Sequence, residues 1–188
     1  MSSPGSVQGD ERLRLFLALR LPENVLDGVG AWQERELRSP VRDAVRIVPR
    51  EHLHVTLAFL GSRPGSELEP ICEVLAECAA RAGPIGFEVE RYRETRSVGM
   101  LVLRDDAGHS TALARDVQER LEELGVYRRE GRDWLPHVTV GRFRARPRLR
   151  PPPPQLGRFD PSDAAAYLSR LHPSGARYEV LRTFPLSR

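Results

Sequence analysis

The chain contains no lysine: all 29 of its basic side chains are arginine. Gene composition alone can produce such a set. Arginine is nevertheless the side chain whose planar fork best matches phosphate. Net charge is only +3 although the pI is about 9.3, so the phosphate reading is reserved for a few arginines. Cysteine is almost as scarce, with Cys72 and Cys78 six residues apart on a stretch patterned as a helix. That spacing gives roughly 9 Å of rise, beyond disulfide reach. Both lie on the apolar stripe Leu68, Ile71, Cys72, Leu75, Cys78, Ala79, where buried thiols are expected. The apolar run Leu13 to Leu21 is interrupted by Arg14 and Arg20 and is too short to cross a membrane. Residues Met1 to Asp10 are rich in Ser and Gly with no apolar centre, the pattern of a frayed, disordered tail rather than a signal peptide. A cytoplasmic protein with no membrane partner is expected.

The remaining 11–188 are long enough for one medium domain or two similar lobes, and 40% hydrophobic content supports a core. Alternation over Leu13–Leu19 predicts a strand. Pro22 opens a helix to about Arg38, with Val25, Val29 and Trp32 inward; Gly28 and Gly30 weaken it. Short strands are expected at Val45–Val48 and at His54–Leu60, the second closed by Gly61. Helical periodicity covers Glu67–Arg81 and Ser110–Leu124, the latter stopped by Gly125. Phe87–Tyr92 and Val98–Leu103 form two strands joined by a polar turn, and His137–Phe143 another. Arg144–Pro161 is an Arg/Pro-rich loop whose Pro151–Pro154 run favours polyproline conformation. Ala164–Leu171 and Tyr178–Phe184 pair as a hairpin through Pro173-Ser174-Gly175. Interleaved strands and helices give an α+β fold of two lobes, each a small sheet with helices outside.

Two copies of one pattern carry the chemistry: His54-Val55-Thr56-Leu57 and His137-Val138-Thr139-Val140. A strand alternates its side chains, so each His shares a face with its Thr while the apolar residues take the other. Two such pairs across a cleft supply an acid, a base and two hydroxyl donors around one small anion. Histidine suits both proton transfers because it titrates near working pH. Thr56 and Thr139 can donate where charge develops, and Arg142 can add a fixed positive charge. Strand parity opposes that last assignment, because 139 and 141 share the face of His137 while 142 points away. Arg142 joins the site only if the strand bulges near Gly141, and such an irregularity is predicted there.

One such motif is weak, since a polar residue at a sheet edge explains a lone histidine as well. Two copies in strands with matched apolar flanks are far more specific. His109 and His172 have no comparable context. His52 shares strand parity with His54, so a His-x-His metal pair is conceivable, but no Asp or Glu completes it. No metal and no cofactor are expected.

On these residues the chain resembles the two-histidine phosphoesterase superfamily. Within it, the chain is most similar to the RNA 2′,3′-cyclic phosphodiesterases, also called the LigT or ThpR family of 2′-5′ RNA ligases. The resemblance rests on Leu15-Phe16-Leu17-Ala18-Leu19 with Leu21-Pro22, His54 through Gly61, Pro136 through Arg142, and Leu168-Ser169-Arg170-Leu171 followed by Pro173, Gly175 and Tyr178. It implies a bilobal, pseudo-symmetric fold whose two mainly antiparallel sheets line a central cleft. It also implies metal-independent hydrolysis of RNA 2′,3′-cyclic phosphate ends to 2′-phosphate. By that similarity His54 is the acid that protonates O3′, His137 the base that activates water, and Thr56, Thr139 and Arg142 hold the phosphate. The family is also linked to joining tRNA halves by a 2′-5′ bond, in which a 5′-hydroxyl replaces water. The expected partner is RNA with a cyclic phosphate end, tRNA halves included, and the expected state a monomer.

Three alternatives are distinguishable. A small nucleotide such as ADP-ribose cyclic phosphate fits the same chemistry. A non-catalytic RNA-end binder would be served by arginine alone, which His54 and His137 argue against. A metal-dependent hydrolase would use His52 and His54. Arg144, Arg146, Arg148 and Arg150 form either an RNA-backbone contact or a solvated loop.

Overall fold

The computed structural model describes residues 11–38, 45–173 and 175–187; the expected tail of residues 1–10 lies outside them. In chain order the elements are β1 (Arg12–Arg20), α1 (Glu23–Glu36), β2 (Val45–Ile47), β3 (His54–Pro64), α2 (Leu68–Arg81), β4 (Glu88–Glu94), β5 (Val98–Arg104), α3 (His109–Glu123), β6 (His137–Phe143), β7 (Ala164–His172) and β8 (Gly175–Phe184). The strands form an antiparallel sheet in the order β4-β5-β6-β3-β1-β7-β8, with β2 also paired to β6. The α+β architecture matches expectation. Its two lobes are hydrogen-bonded into one sheet, because Val55 of β3 pairs with Val138 of β6.

The helices cover one face of this sheet. Leu15, Leu17 and Leu19 of β1, Val55 and Leu57 of β3, and Val138 and Val140 of β6 form one buried cluster with Val25, Val29 and Trp32 of α1. Ile71, Cys72, Leu75 and Cys78 of α2 join it with Leu113, Val117 and Leu121 of α3. These helical positions recur every three to four residues, so each helix presents one apolar stripe to the sheet. Burial pushes the Cys78 thiol up to about 12, which leaves it protonated and inert. The opposite face carries a smaller buried cluster, Phe16, Ala18, Ala165 and Tyr167, with Tyr178 packed against it.

Two expectations are corrected. Gly61 does not close its strand. It takes a left-handed backbone (φ +69°), which glycine tolerates at no steric cost, and β3 continues to Pro64 because residues 61–64 pair with Leu15 through Arg12. His52 does not share strand parity with His54. It ends a 3₁₀ turn, Arg50–His52, and its ring packs on Tyr178 at 4.4 Å.

Candidate active site

The two His-x-Thr strands meet at the centre of the sheet. With Val55 directly opposite Val138 in an antiparallel pair, His54 falls on the Thr139 side and Thr56 on the His137 side. His54 Nδ1 donates to the carbonyl of His52 at 2.8 Å, and His137 Nδ1 donates to the carbonyl of Leu135 at 2.8 Å. A carbonyl only accepts, so each Nδ1 carries the proton. In the neutral ring Nε2 is then the free lone pair. His54 Nε2 lies 3.0 Å from the Thr56 hydroxyl. Thr56, His137 and Thr139 line a cleft of about 710 Å³, together with Phe59, Arg93, Met100, Tyr127, Arg132 and Trp134. His54 and Arg142 are not among its walls. The His54 ring packs against Phe16, with centroids 4.9 Å apart and planes tilted by 32°.

Both motif strands bulge immediately after their threonine. In β6, Met100 of β5 faces Thr139 while Gly99 faces Gly141, so Val140 is the extra residue. In β3, Ala18 of β1 faces Thr56 while Leu17 faces Ala58, so Leu57 is the extra residue. The irregularity expected near Gly141 is therefore present, and parity flips beyond it. Val140 and Gly141 are both buried, and Arg142 returns to the exposed face of Thr139. A Cβ at Gly141 would sit 3.0 Å from Val45 Cγ1, so the valine side chain would have to give by a few tenths of an ångström. The burial pattern of β3 repeats that of β6 residue for residue, which makes Phe59 the counterpart of Arg142. Phe59 is 46% exposed and stacks on Phe16 (centroids 5.7 Å, planes 4° apart).

Each bulge is held by a buried glutamine. Gln33 of α1 donates through Nε2 to the carbonyls of Val140 (2.8 Å) and Val48 (3.0 Å). Gln118 of α3 donates to the carbonyl of Leu57 at 2.8 Å. A bulge takes backbone groups out of the ladder, and buried carbonyls need donors. Each amide supplies one from the helical layer, and the Val140 carbonyl also accepts from the Val48 N–H at 3.1 Å. Trp134 adds a cross-link between the motif strands, its Nε1 donating to the carbonyl of Thr56 at 2.9 Å. Gln33, Gln118, Phe59 and Trp134 were absent from the expected site. A polar residue on the inner stripe of a helix is the signal that marks the two glutamines.

The two histidines differ in environment. Burial pushes the His54 imidazole down to about 4; the hydrogen bond to the His52 carbonyl opposes this, while the charges of His137, His52 and Arg142 add to it. His137 and Arg142 thus stand within electrostatic reach of His54. At neutral pH His54 in the free protein is uncharged. As pH falls from the ordinary histidine value of 6.5, the unfolded chain takes up the proton first. Stability is therefore lost progressively down to about pH 4, by up to about 3 kcal/mol from this residue. Denaturant unfolding of His54→Gln should show a smaller loss between pH 7 and pH 4.5 than the parent chain. Equal losses would mean that His54 is not desolvated as described.

Among the described residues no three His, Cys, Asp or Glu side chains converge as a metal set, and no helix is long and apolar enough to cross a membrane.

This fold, with two mirrored His-x-Thr strands on one cleft, defines a two-histidine phosphoesterase. The model of the 2′-5′ RNA ligase superfamily matches residues 22–173, and the chain belongs to that superfamily. A protein of Thermus thermophilus named RNA 2′,3′-cyclic phosphodiesterase is 32% identical over 190 residues, covering 93% of this chain and 90% of the relative. One of Archaeoglobus fulgidus with the same name is 31% identical over 180 residues, covering 92% and 99%. The crystal structure of E. coli LigT in apo form superimposes with a TM-score of 0.81 at 23% identity, covering 95% of this chain and 99% of that one. This likeness shows the fold.

Proposed function

We propose that the chain hydrolyses RNA 2′,3′-cyclic phosphate termini to 2′-phosphate without a metal. The observation that carries this reading is the pair of mirrored strands meeting at Val55 and Val138, each presenting a histidine Nε2 anchored from behind by a carbonyl. Membership of the superfamily and the names of the relatives at 31–32% identity support the substrate class.

In the proposed step, His137 Nε2 takes a proton from water as its oxygen attacks phosphorus. The P–O3′ bond breaks, and His54 gives its Nε2 proton to O3′. The electron pair of that bond stays on O3′, leaving a 3′-hydroxyl and a 2′-phosphate. Thr56 and Thr139 donate to the non-bridging oxygens, and Arg142, brought to this face by the bulge at Val140, pairs with their charge. Phe59 offers an apolar ring at the cleft edge against which a nucleobase can stack. An acid needs its proton, yet the free protein holds His54 neutral. The bound phosphate anion resolves this, since a nearby negative charge raises the proton affinity of imidazole. The same two groups serve 2′-5′ ligation of tRNA halves when a 5′-hydroxyl takes the place of water. One chain carries both motifs, so a monomer suffices, and a cytoplasmic setting is proposed with it.

Incubation with a short RNA ending in a 2′,3′-cyclic phosphate, in excess EDTA, tests the reading. Turnover is expected at the rate seen without chelator. Activity lost to EDTA and restored by a divalent ion would contradict the metal-free mechanism. Faster turnover of ADP-ribose cyclic phosphate than of the RNA would move the substrate to small nucleotides.

A further inference from the structure

A second concave site adjoins the cleft at the outer edge of the sheet. It encloses about 480 Å³ and is lined by Arg91, Arg93, Arg146, Arg148 and Arg150, with Tyr92, Glu94 and Leu149. Arg93 lines this hollow and the catalytic cleft alike, so the two are neighbours across it. The sheet register explains how. Arg93 of β4 faces Met100 of β5, which faces Thr139 of β6, and Arg91 faces Val102, which faces His137. Both arginines therefore stand in line with motif residues two strands away, about 10 Å across the sheet.

The other arginines come from the loop after β6, and that loop is pinned. The buried Glu94 carboxylate accepts from the backbone N–H of Arg148 (3.0 Å) and Leu149 (2.8 Å), from Arg146 Nε (3.2 Å) and from the Tyr92 hydroxyl (3.2 Å). These bonds hold Arg148 in a left-handed backbone, φ 57°, a conformation that costs a non-glycine residue energy. Further along, Trp32 Nε1 donates to the Pro152 carbonyl at 2.8 Å. The Arg/Pro-rich segment is thus a fixed rim.

Its charge is mostly unspent. Several arginines elsewhere face carboxylates, as Arg50 does with Glu23 and Asp27, and Arg182 with Glu69. Within the hollow, Arg91 is paired with Glu90, and Arg146 with Glu94. Among the described residues no carboxylate pairs with Arg93, Arg148 or Arg150. Three unpaired guanidiniums around one hollow, leading out of a phosphate-processing cleft, suit a polyanion that continues from the substrate.

We propose that this hollow binds phosphodiester groups of single-stranded RNA upstream of the cyclic end, so that the strand leaves the cleft over Arg93 and the edge of β4. This deepens the proposed function and rests on it: the substrate is an oligonucleotide end rather than a free cyclic nucleotide.

The test compares kcat/KM for a short RNA with a 2′,3′-cyclic phosphate end against 2′,3′-cyclic AMP, in the parent chain and in Arg148→Gln/Arg150→Gln. The expected RNA preference in the parent is about tenfold or more, and the variant should lose most of it. Three phosphate contacts in the hollow contribute about −2 to the salt slope of log affinity on a single strand, and removal of two should leave about −0.7 of that share. Equal kcat/KM for both substrates in the parent, or a preference and slope unchanged in the variant, would overturn the proposal. If neither substrate turns over, the catalytic reading fails by itself. Anisotropy of the same RNA, fluorescently labelled, still decides the hollow: a flattened slope in the variant upholds it, and an unchanged slope rejects it.

Discussion

Replacing His137 by alanine should lower kcat on an RNA 2′,3′-cyclic phosphate by about 10²–10⁴-fold, the span over which a positioned acid or base acts. His54→Ala should do the same. KM should change much less, because Thr56, Thr139 and Arg142 remain to hold the phosphate in the proposed complex. Removing both histidines should cost little more than removing either, since the two act as one unit. The pH dependence tests how the bound anion acts on His54. The His54 imidazole is pushed down to about 4 in the free protein, and an acid works only while protonated. The alkaline limb of kcat/KM, which reports free enzyme, should therefore lie well below that of kcat, which reports the complex with the anion bound. Coinciding alkaline limbs in kcat/KM and kcat would mean that the bound anion does not restore the His54 proton. Steady-state kinetics across pH 4–9 checks this.

The second large effect concerns a residue that touches no reacting atom. Arg142→Gln should lower kcat/KM by about 10²–10³-fold if its guanidinium neutralises the developing charge. Gln33→Leu should reproduce part of that loss from the far side of the sheet. The Gln33 amide holds the carbonyls of Val140 and Val48, and the bulge at Val140 is what returns Arg142 to the histidine face. Removing the amide takes one of two donors from the Val140 carbonyl, which keeps the Val48 N–H at 3.1 Å, and the side-chain donor from the half-buried Val48 carbonyl, at a stability cost of about 1 kcal/mol. The diagnostic is the double variant. Residues that act through one another are not additive, so Gln33→Leu/Arg142→Gln should lose far less than the product of the single losses. Multiplicative losses would reduce Gln33 to a purely structural residue.

The parity of His137-Val138-Thr139-Val140-Gly141-Arg142 already required a bulge before Arg142, and the glycine marked its place. The matching bulge in β3 went unseen because Ala58 stands where β6 has Gly141, so nothing in residue type announced it. Its consequence, Phe59 turned outward to the cleft, was hidden with it. The helices over 68–81 and 109–123 were legible because their apolar stripes recur every three to four residues. The extension of β3 beyond Gly61 was not, because it depends on pairing with β1, some fifty residues away in the chain. The strand ladder that joins the lobes is one residue pair long, Val55 with Val138, and no local pattern encodes it. The arginines of the 144–150 loop were visible as a cluster, but the buried Glu94 that fixes them comes from another strand. His52 misled for a related reason: the 3₁₀ turn before β3 breaks the alternation that would have paired it with His54.

The most direct measurement is the position of the phosphate on the product formed from RNA 2′,3′-cyclic phosphate, read by ³¹P NMR, with His54→Ala and His137→Ala alongside. The account predicts a 2′-phosphate whose formation needs both histidines. A 3′-phosphate, or turnover that survives loss of either histidine, would contradict it.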